Sequence, residues 1–434
     1  MRTLDREILR LALPALAALV AEPLYVLADT AVVGHIGPEA LAGLAVATSI
    51  LLVGYAVFIF LAYGTTASVA RLLGAGDERE AAHQAVQGMW LAAGCGVAVS
   101  AVTFAASGPL LSLLGATGEV REQAFTYLSV SLLGVPAMLV VLAGTGYLRG
   151  LQDTRTPLLV AIGSASANLA LELVLIPGLG FGIGASALST VIAQWGSATV
   201  YVVWVRRAVR AHAVALAPHP RTLRRLAVVG RDLFLRTAAL RGSLLLSTGV
   251  ATRIGTVDVA AHQIAFEVWS FLALVLDALA IAGQAMIGRF LGAGSVADAR
   301  RAGRRLLEWG LTAGVVLGGV VLLTRTWLPG LFTGDASVAA LAVFLLAWVG
   351  ALQPVNAAVF VLDGLLIGAG DMRFLAWAMW IAFAVFAVAA ALVLVLELGI
   401  GWLWAGLAAL MLSRLTVLGL RWRTDSWAVT GAAR

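Results

Sequence analysis

The chain has 434 residues, of which 61% are hydrophobic and only 12% are charged, and its formal net charge is +6. A mean hydropathy of +0.97 lies far outside the range of soluble globular proteins, so the composition excludes a chain built around soluble domains. The basic residues lie in short loops between apolar segments, which also excludes a continuous surface for binding nucleic acid.

Long apolar runs predict twelve transmembrane helices, because a helix needs roughly 20 apolar residues to cross a bilayer core of about 30 Å. Unbroken runs of Leu, Ala and Val favour helices over the alternating pattern of barrel strands. The first six spans are predicted at residues 9–33, 41–70, 82–107, 124–148, 157–176 and 183–205. The second six are predicted at residues 233–251, 260–287, 304–324, 338–366, 374–396 and 400–420.

This order predicts an all-α integral membrane protein in four parts. Residues 1–205 form an amino-terminal six-helix lobe, and residues 233–420 form a carboxy-terminal six-helix lobe. An arginine-rich connector, residues 206–232, joins the lobes, and residues 421–434 form a tail.

The arginines predict which side of the membrane each loop faces. The connector carries seven arginines, whereas the loops on the opposite side carry only Arg121, Arg253 and Arg325. Because cationic loops resist translocation, we place both termini and the connector in the cytoplasm, with the protein in the plasma (inner) membrane. A patch that recognises lipid is the alternative interpretation of the same charges.

The sequence repeats itself with a displacement of 218 residues. The pattern R-x-L-G-A-G of segment 71–76 recurs at segment 289–294 with all five fixed positions retained. The pattern G-x-L-x-G of segment 146–150 recurs at segment 364–368. Since six spans separate equivalent positions, the two bundles have the same orientation, with a pseudo-twofold axis along the membrane normal and a central cleft. Such a design is typical of transporters that work by alternating access.

Acidic side chains inside the predicted spans are the candidate functional residues, since a carboxylate there costs at least about 2.5 kcal/mol. Helix geometry places Asp29, Asn168, Glu172 and Thr190 at similar depths in the outer half of the amino-terminal lobe, with Tyr25 one turn before Asp29. Two close carboxylates cannot both stay charged without a partner, so the group predicts a site for a proton or a sodium ion. Hydrogen bonding between helices is the alternative role.

The second half lacks this group. The positions 218 residues after Asp29, Asn168 and Glu172 are Ser247, Phe386 and Ala390. That half has three acids of its own, which would line a substrate cleft for cations or simply bond neighbouring helices: Glu267, Asp277 and Asp363.

Two prolines lie in the first span. Pro14 and Pro23 interrupt its hydrogen-bond ladder and predict a bend near the carboxylate, with ordinary kinks as the alternative. The histidines show no paired ligand spacing, so we expect no zinc site.

Two segments resemble a known family. EPLYVLADTAVVGHIG at residues 22–37 resembles the first-helix signature of multidrug and toxic compound extrusion (MATE) transporters, closest to their DinF-like branch. LRGLQDTRTP at residues 148–157 resembles the family's loop between helices four and five. By this resemblance Asp29, Asn168, Glu172 and Thr190 fall on the family's amino-lobe cation site, with Tyr25 beside it. Glu172 departs from the aspartate that is usual in this branch.

The resemblance implies efflux of small organic compounds, cationic or amphipathic, in exchange for protons or sodium ions, and we expect a monomer that needs no cofactor. The chain has no phosphate loop and no lysine, so it would not hydrolyse ATP. The motifs HExxH and GxSxG are absent, which argues against an enzyme. The alternative function is a flippase of a lipid-linked precursor, for which the acids in the spans are a poor match.

Overall fold

The computed structural model describes the backbone of residues 2–432 and the side chains of residues 3–52 and 58–432. The first half contains α1 (Arg2–Gly34), α2 (Pro38–Phe58), α3 (Phe60–Gly74), α4 (Glu78–Ala105), α5 (Ser107–Leu113), α6 (Gly118–Ser131), α7 (Val135–Gly150), α8 (Arg155–Leu173) and α9 (Ile183–Ala211). The second half contains α10 (Pro220–Ile254), α11 (Thr256–Gly292), α12 (Val296–Thr324), α13 (Ala336–Gly368), α14 (Met372–Val395) and α15 (Ile400–Arg423). A π-helical turn, Val174–Gly178, follows α8, and a short 3-10 helix, Leu328–Leu331, follows α12.

The predicted all-α membrane fold is confirmed, with local differences from the predicted spans. Among the described residues, nine helices are long and apolar enough to cross a membrane, and α6 and α7 together make a tenth candidate span with a bend of 49° between them. The span predicted at residues 41–70 divides at Ile59 into α2 and α3. The span predicted at 233–251 lies inside α10, whose arginine-rich first turns lower its mean hydropathy.

The helices form two compact units. One unit is Leu13–Gly230, and the other is Arg231–Arg434 together with Met1–Ala12. The first turns of α1 therefore belong to the unit of the second half, whereas the sequence grouped them with the first. Their acids explain this placement, because Asp5 accepts hydrogen bonds from Arg305 and Trp309. Glu7 likewise forms a 2.6 Å ion pair with Arg289.

The sequence repeat is also a repeat of helix packing. A Cβ atom added to Gly146 would lie 2.5 Å from the carbonyl oxygen of Ala62, and one added to Gly364 would lie 2.5 Å from that of Ala280. Glycine is needed at both positions, since real Cβ atoms do not approach so closely. The same 218-residue correspondence holds for the contacts Gly150–Thr66 and Gly368–Gln284, and for Gly96–Pro136 and Gly314–Pro354.

The first helix is continuous. It runs from Arg2 to Gly34 through both Pro14 and Pro23, so neither proline ends it. Each proline still removes one backbone hydrogen bond, and bending at these points stays a prediction.

Candidate cation site of the amino-terminal unit

Three helices of the unit Leu13–Gly230 bring all five predicted residues together. On α1 and on α8 the two contributed side chains are four residues apart, which places them on one face, one turn from each other. Tyr25 of α1 and Asn168 of α8 both hydrogen-bond the Thr190 hydroxyl of α9: the Tyr25 hydroxyl lies 2.8 Å from Thr190 Oγ1, and Asn168 Nδ2 donates to it at 3.0 Å. The predicted grouping of these side chains in space therefore occurs.

A serine that the sequence did not single out joins the two carboxyl groups. Ser186 of α9 has its Oγ 2.7 Å from Asp29 Oδ1 and 3.2 Å from Glu172 Oε1. It lies one turn before Thr190, the same spacing that links Tyr25 to Asp29, so helical periodicity was the signal that could have found it.

The site is buried, and two of its oxygen atoms lack protein partners. Asp29 is 6% exposed, Asn168 is 1% exposed, and Glu172 and Ser186 are fully buried. Asn168 Oδ1 and Glu172 Oε2 accept no hydrogen bond from any residue in the described part of the chain. Buried acceptors of this kind are costly when left unpaired, so they fit a site that takes up a positively charged ion.

One hydroxyl group cannot satisfy both carboxyl groups by itself, because Ser186 has a single hydrogen to donate. If that hydrogen goes to Asp29 Oδ1, the contact with Glu172 is a hydrogen bond only when the Glu172 carboxyl carries a proton and donates it to Ser186 Oγ. The series of groups formed by the Glu172 carboxyl, the Ser186 hydroxyl and the Asp29 carboxylate therefore accommodates one proton.

The three acids predicted to line a substrate cleft have different surroundings. Asp363 is buried between two arginines, Arg236 and Arg414, with Arg414 Nη2 3.4 Å from its Oδ2. Its charge is thus met by guanidinium groups of its own unit. Glu267 is exposed and accepts a 2.7 Å hydrogen bond from Gln263, whereas Asp277 is half-buried. The role of these three acids in binding substrate stays a prediction.

The equivalent position of the second unit is occupied by aromatic and small side chains. Ser247, which matches Asp29, lies 3.1 Å from His262 Nε2, and the His262 ring stacks on Phe266 and meets Trp404 edge to face. Trp404 takes the place of Ser186 in the repeat. Phe386 and Ala390, which match Asn168 and Glu172, belong to the same apolar core.

A family profile described as MatE matches two segments of the chain, residues 14–174 and 233–393. The chain belongs to the MatE family. The two matched segments start 219 residues apart, so each coincides with one half of the repeat. The predicted membership of the MATE transporters is confirmed.

Relatives match this MATE chain over nearly its whole length. Protein DETOXIFICATION 44, chloroplastic, of Arabidopsis thaliana is 33% identical and covers 98% of this chain and 84% of its own length. DNA damage-inducible protein F of Escherichia coli (strain K12) is 29% identical over 98% of this chain and 94% of its own. A solved structure of a MATE protein in the bent conformation superposes with a TM-score of 0.87 at 21% identity, covering 96% of this chain and 93% of that one.

Other relatives are named multidrug resistance proteins. The family therefore supports a multi-pass membrane transporter that extrudes small molecules such as drugs or toxic compounds. Its members are transporters rather than enzymes.

Proposed function

We propose that this protein is a secondary efflux antiporter that exports small organic compounds, cationic or amphipathic, in exchange for protons entering through the Asp29 site. The observation that carries the proposal is the contact of one serine hydroxyl with both Asp29 and Glu172. Alternating access would expose the site first to one side of the membrane and then to the other.

Proton binding and release would change the charge of a buried site. With one proton present, the contacts among Glu172, Ser186 and Asp29 form two hydrogen bonds and one negative charge remains. After release, two buried carboxylates repel each other with only one hydroxyl hydrogen between them. The protonated and the deprotonated site are thus stable in different surroundings. Binding of the proton can therefore shift the equilibrium between two conformations of the transporter.

Sodium coupling is the second candidate, and a separate observation favours it. Asn168 Oδ1 and Glu172 Oε2 are buried oxygen atoms without a described protein donor. Carboxylate, amide and hydroxyl oxygens are ligands for hard cations, so the same group could hold sodium as its transported ion. The substrate class and the coupling ion are both parts of this proposal.

The test is counterflow of a fluorescent organic cation in proteoliposomes, with pH and sodium gradients imposed separately. We expect the pH gradient to drive transport and the Asp29→Asn and Glu172→Gln variants to lose the gradient-driven component. Glu119→Gln removes an exposed acid of the same unit and serves as the matched control. If both site variants transport like the wild type, the proposed coupling site is wrong, and if only a sodium gradient drives transport, sodium replaces the proton.

The orientation is proposed as well. Both termini and the connector would face the cytoplasm, with the protein in the plasma (inner) membrane, because arginine is concentrated on that side. Accessibility of single cysteines to an impermeant reagent in intact cells tests this, after Cys95, the one native cysteine, is replaced by alanine.

A further inference from the structure

The segment that joins α9 to α10 carries an unusual excess of positive charge. Residues 206–231 contain seven arginines and no acidic residue. Arg231 pairs with the next residue, Asp232, at 2.9 Å. The other six are exposed and form no ion pair with any residue in the described part of the chain: Arg206, Arg207, Arg210, Arg221, Arg224 and Arg225. We call these six the connector surface.

Several arginines of the unit that contains Arg231–Arg434 are, by contrast, paired with acids. In the unit that contains α11 to α15, five exposed or half-buried arginines are matched with acids: Arg289 with Glu7, Arg300 with Asp425, Arg301 with Asp298, Arg305 with Asp5, and Arg421 with Asp371. An arginine whose role is only to keep a loop in the cytoplasm can be neutralised by an acid once the protein has folded, as these five arginines are. The connector surface keeps its charge in the folded protein, so it can act on a partner.

The loop that holds the connector surface is fastened to α4. The Gln87 side chain donates to the Ala217 carbonyl oxygen at 2.9 Å and accepts from the His219 amide at 2.7 Å. Trp90 Nε1 donates to the Leu216 carbonyl oxygen at 2.9 Å. These hydrogen bonds fix the loop between α9 and α10 in position relative to α4. On α10 the spacing of residues 221, 224 and 225 puts three guanidinium groups on one face.

Exposed apolar side chains accompany the charges. Trp90 and Leu216 are each about half exposed, and Trp204, more than one-third exposed, lies under the Arg207 guanidinium at 5.6 Å. Tryptophan with arginine is the combination found where a protein surface meets lipid headgroups. The guanidinium fork also matches phosphate oxygens in geometry and charge.

We propose that the connector surface binds the phosphate headgroups of anionic phospholipids in the adjacent leaflet. The leaflet is the cytoplasmic one in the orientation proposed above, but the contact itself requires only that the loop lie at a membrane surface. The lipid would hold α9 and α10 at this surface and neutralise charges that the protein leaves unpaired.

The test measures association of spin-labelled phosphatidylglycerol and spin-labelled phosphatidylcholine with the full chain in phosphatidylcholine nanodiscs. Both leaflets have the same composition there, so a change of topology cannot affect the result. We expect the wild type to prefer phosphatidylglycerol by about threefold, with the preference weakening as salt is added.

Two triple variants separate local from general charge. In Arg221→Gln, Arg224→Gln, Arg225→Gln we expect the preference to fall close to one. The matched control removes the same amount of charge from loops predicted on the opposite side, with the substitutions Arg121→Gln, Arg253→Gln and Arg325→Gln. This control should keep the preference for phosphatidylglycerol. A lysine version of the first triple should also keep most of the preference, because it retains the charge.

Four results would overturn the proposal. The wild type could bind both lipids equally, the first glutamine triple could keep the preference, or the control triple could lose it to the same extent. Loss of the preference in the lysine version would likewise contradict recognition by charge. None of these readouts depends on transport, so failure of the proposed antiport leaves this test intact.

Discussion

The two units share their helix packing but differ in chemistry at one equivalent place. In the first unit, Asp29, Asn168, Glu172 and Ser186 form a buried polar group. In the second, the positions 218 residues later hold Ser247, Phe386, Ala390 and Trp404, within an apolar core that surrounds His262. The close glycine contacts are the same in both. Duplication thus preserved the scaffold, whereas ion coupling, as proposed, belongs to one unit.

The largest expected effect tests that asymmetry directly. We expect Asp29→Asn to remove ion-driven transport, since the site then lacks one of its two carboxyl groups. Ser247→Ala, the change at the equivalent position of the second unit, should leave most of the transport intact. The measurement is initial transport rate under an imposed gradient. Equal losses in the two variants would show that the asymmetry has no functional meaning.

A buried acid of the second unit should act on stability instead. Asp363→Asn leaves the Arg236 and Arg414 guanidiniums without their shared carboxylate, which we expect to cost about 3 kcal/mol or more. Thermal unfolding of the purified protein in detergent measures the change. Glu308→Gln, which removes an exposed partner of Arg305, is the control and should cost about 1 kcal/mol or less. A stable Asp363→Asn protein would contradict the structural role assigned to this ion pair.

The shared packing predicts matched effects in the two units. Gly146→Ala and Gly364→Ala each force a Cβ against a carbonyl oxygen of the facing helix, at a cost of about 1–3 kcal/mol. Gly319→Ala meets no atom within 4 Å and should be neutral or slightly stabilising, because alanine favours the helix. The measurement is the unfolding temperature of each of the three variants. A large loss of stability in only one of the variants Gly146→Ala and Gly364→Ala would contradict equally close helix packing in the two units.

The smallest expected effect concerns Ser186. Ser186→Ala keeps both carboxyl groups but removes the hydroxyl between them, so we expect transport to fall by about fivefold, equivalent to about 1 kcal/mol. Ser189→Ala is the control, because among the described residues this neighbouring serine of α9 bonds only to the Ala185 carbonyl oxygen, at 2.8 Å. Ser186→Thr should restore part of the rate, since it returns a hydroxyl. Wild-type transport in Ser186→Ala would exclude the serine as a positioning residue.

Helical periodicity predicted most of the site and missed one member of it. Acids are conspicuous in apolar spans, so Asp29 and Glu172 could be identified from sequence, and Asn168 and Thr190 followed from depth and spacing. Ser186 has the helical spacing that could have marked it, one turn before Thr190, but serine is common in membrane helices and the spacing alone did not single it out. Asp363 shows the reverse problem, since sequence marked it as a candidate for substrate without showing the two arginines that meet it.

Sequence alone determined that this is a helical membrane protein with two repeated halves, because apolar run length and a constant offset are local properties of the chain. It also marked the residues for which burial would be costly. Only the tertiary structure decided that Ser186 bridges the carboxyl groups, that Asp363 is paired, and that the first turns of α1 join the second unit. These outcomes depend on which side chains meet across helices far apart in sequence, and no local pattern encodes such a meeting.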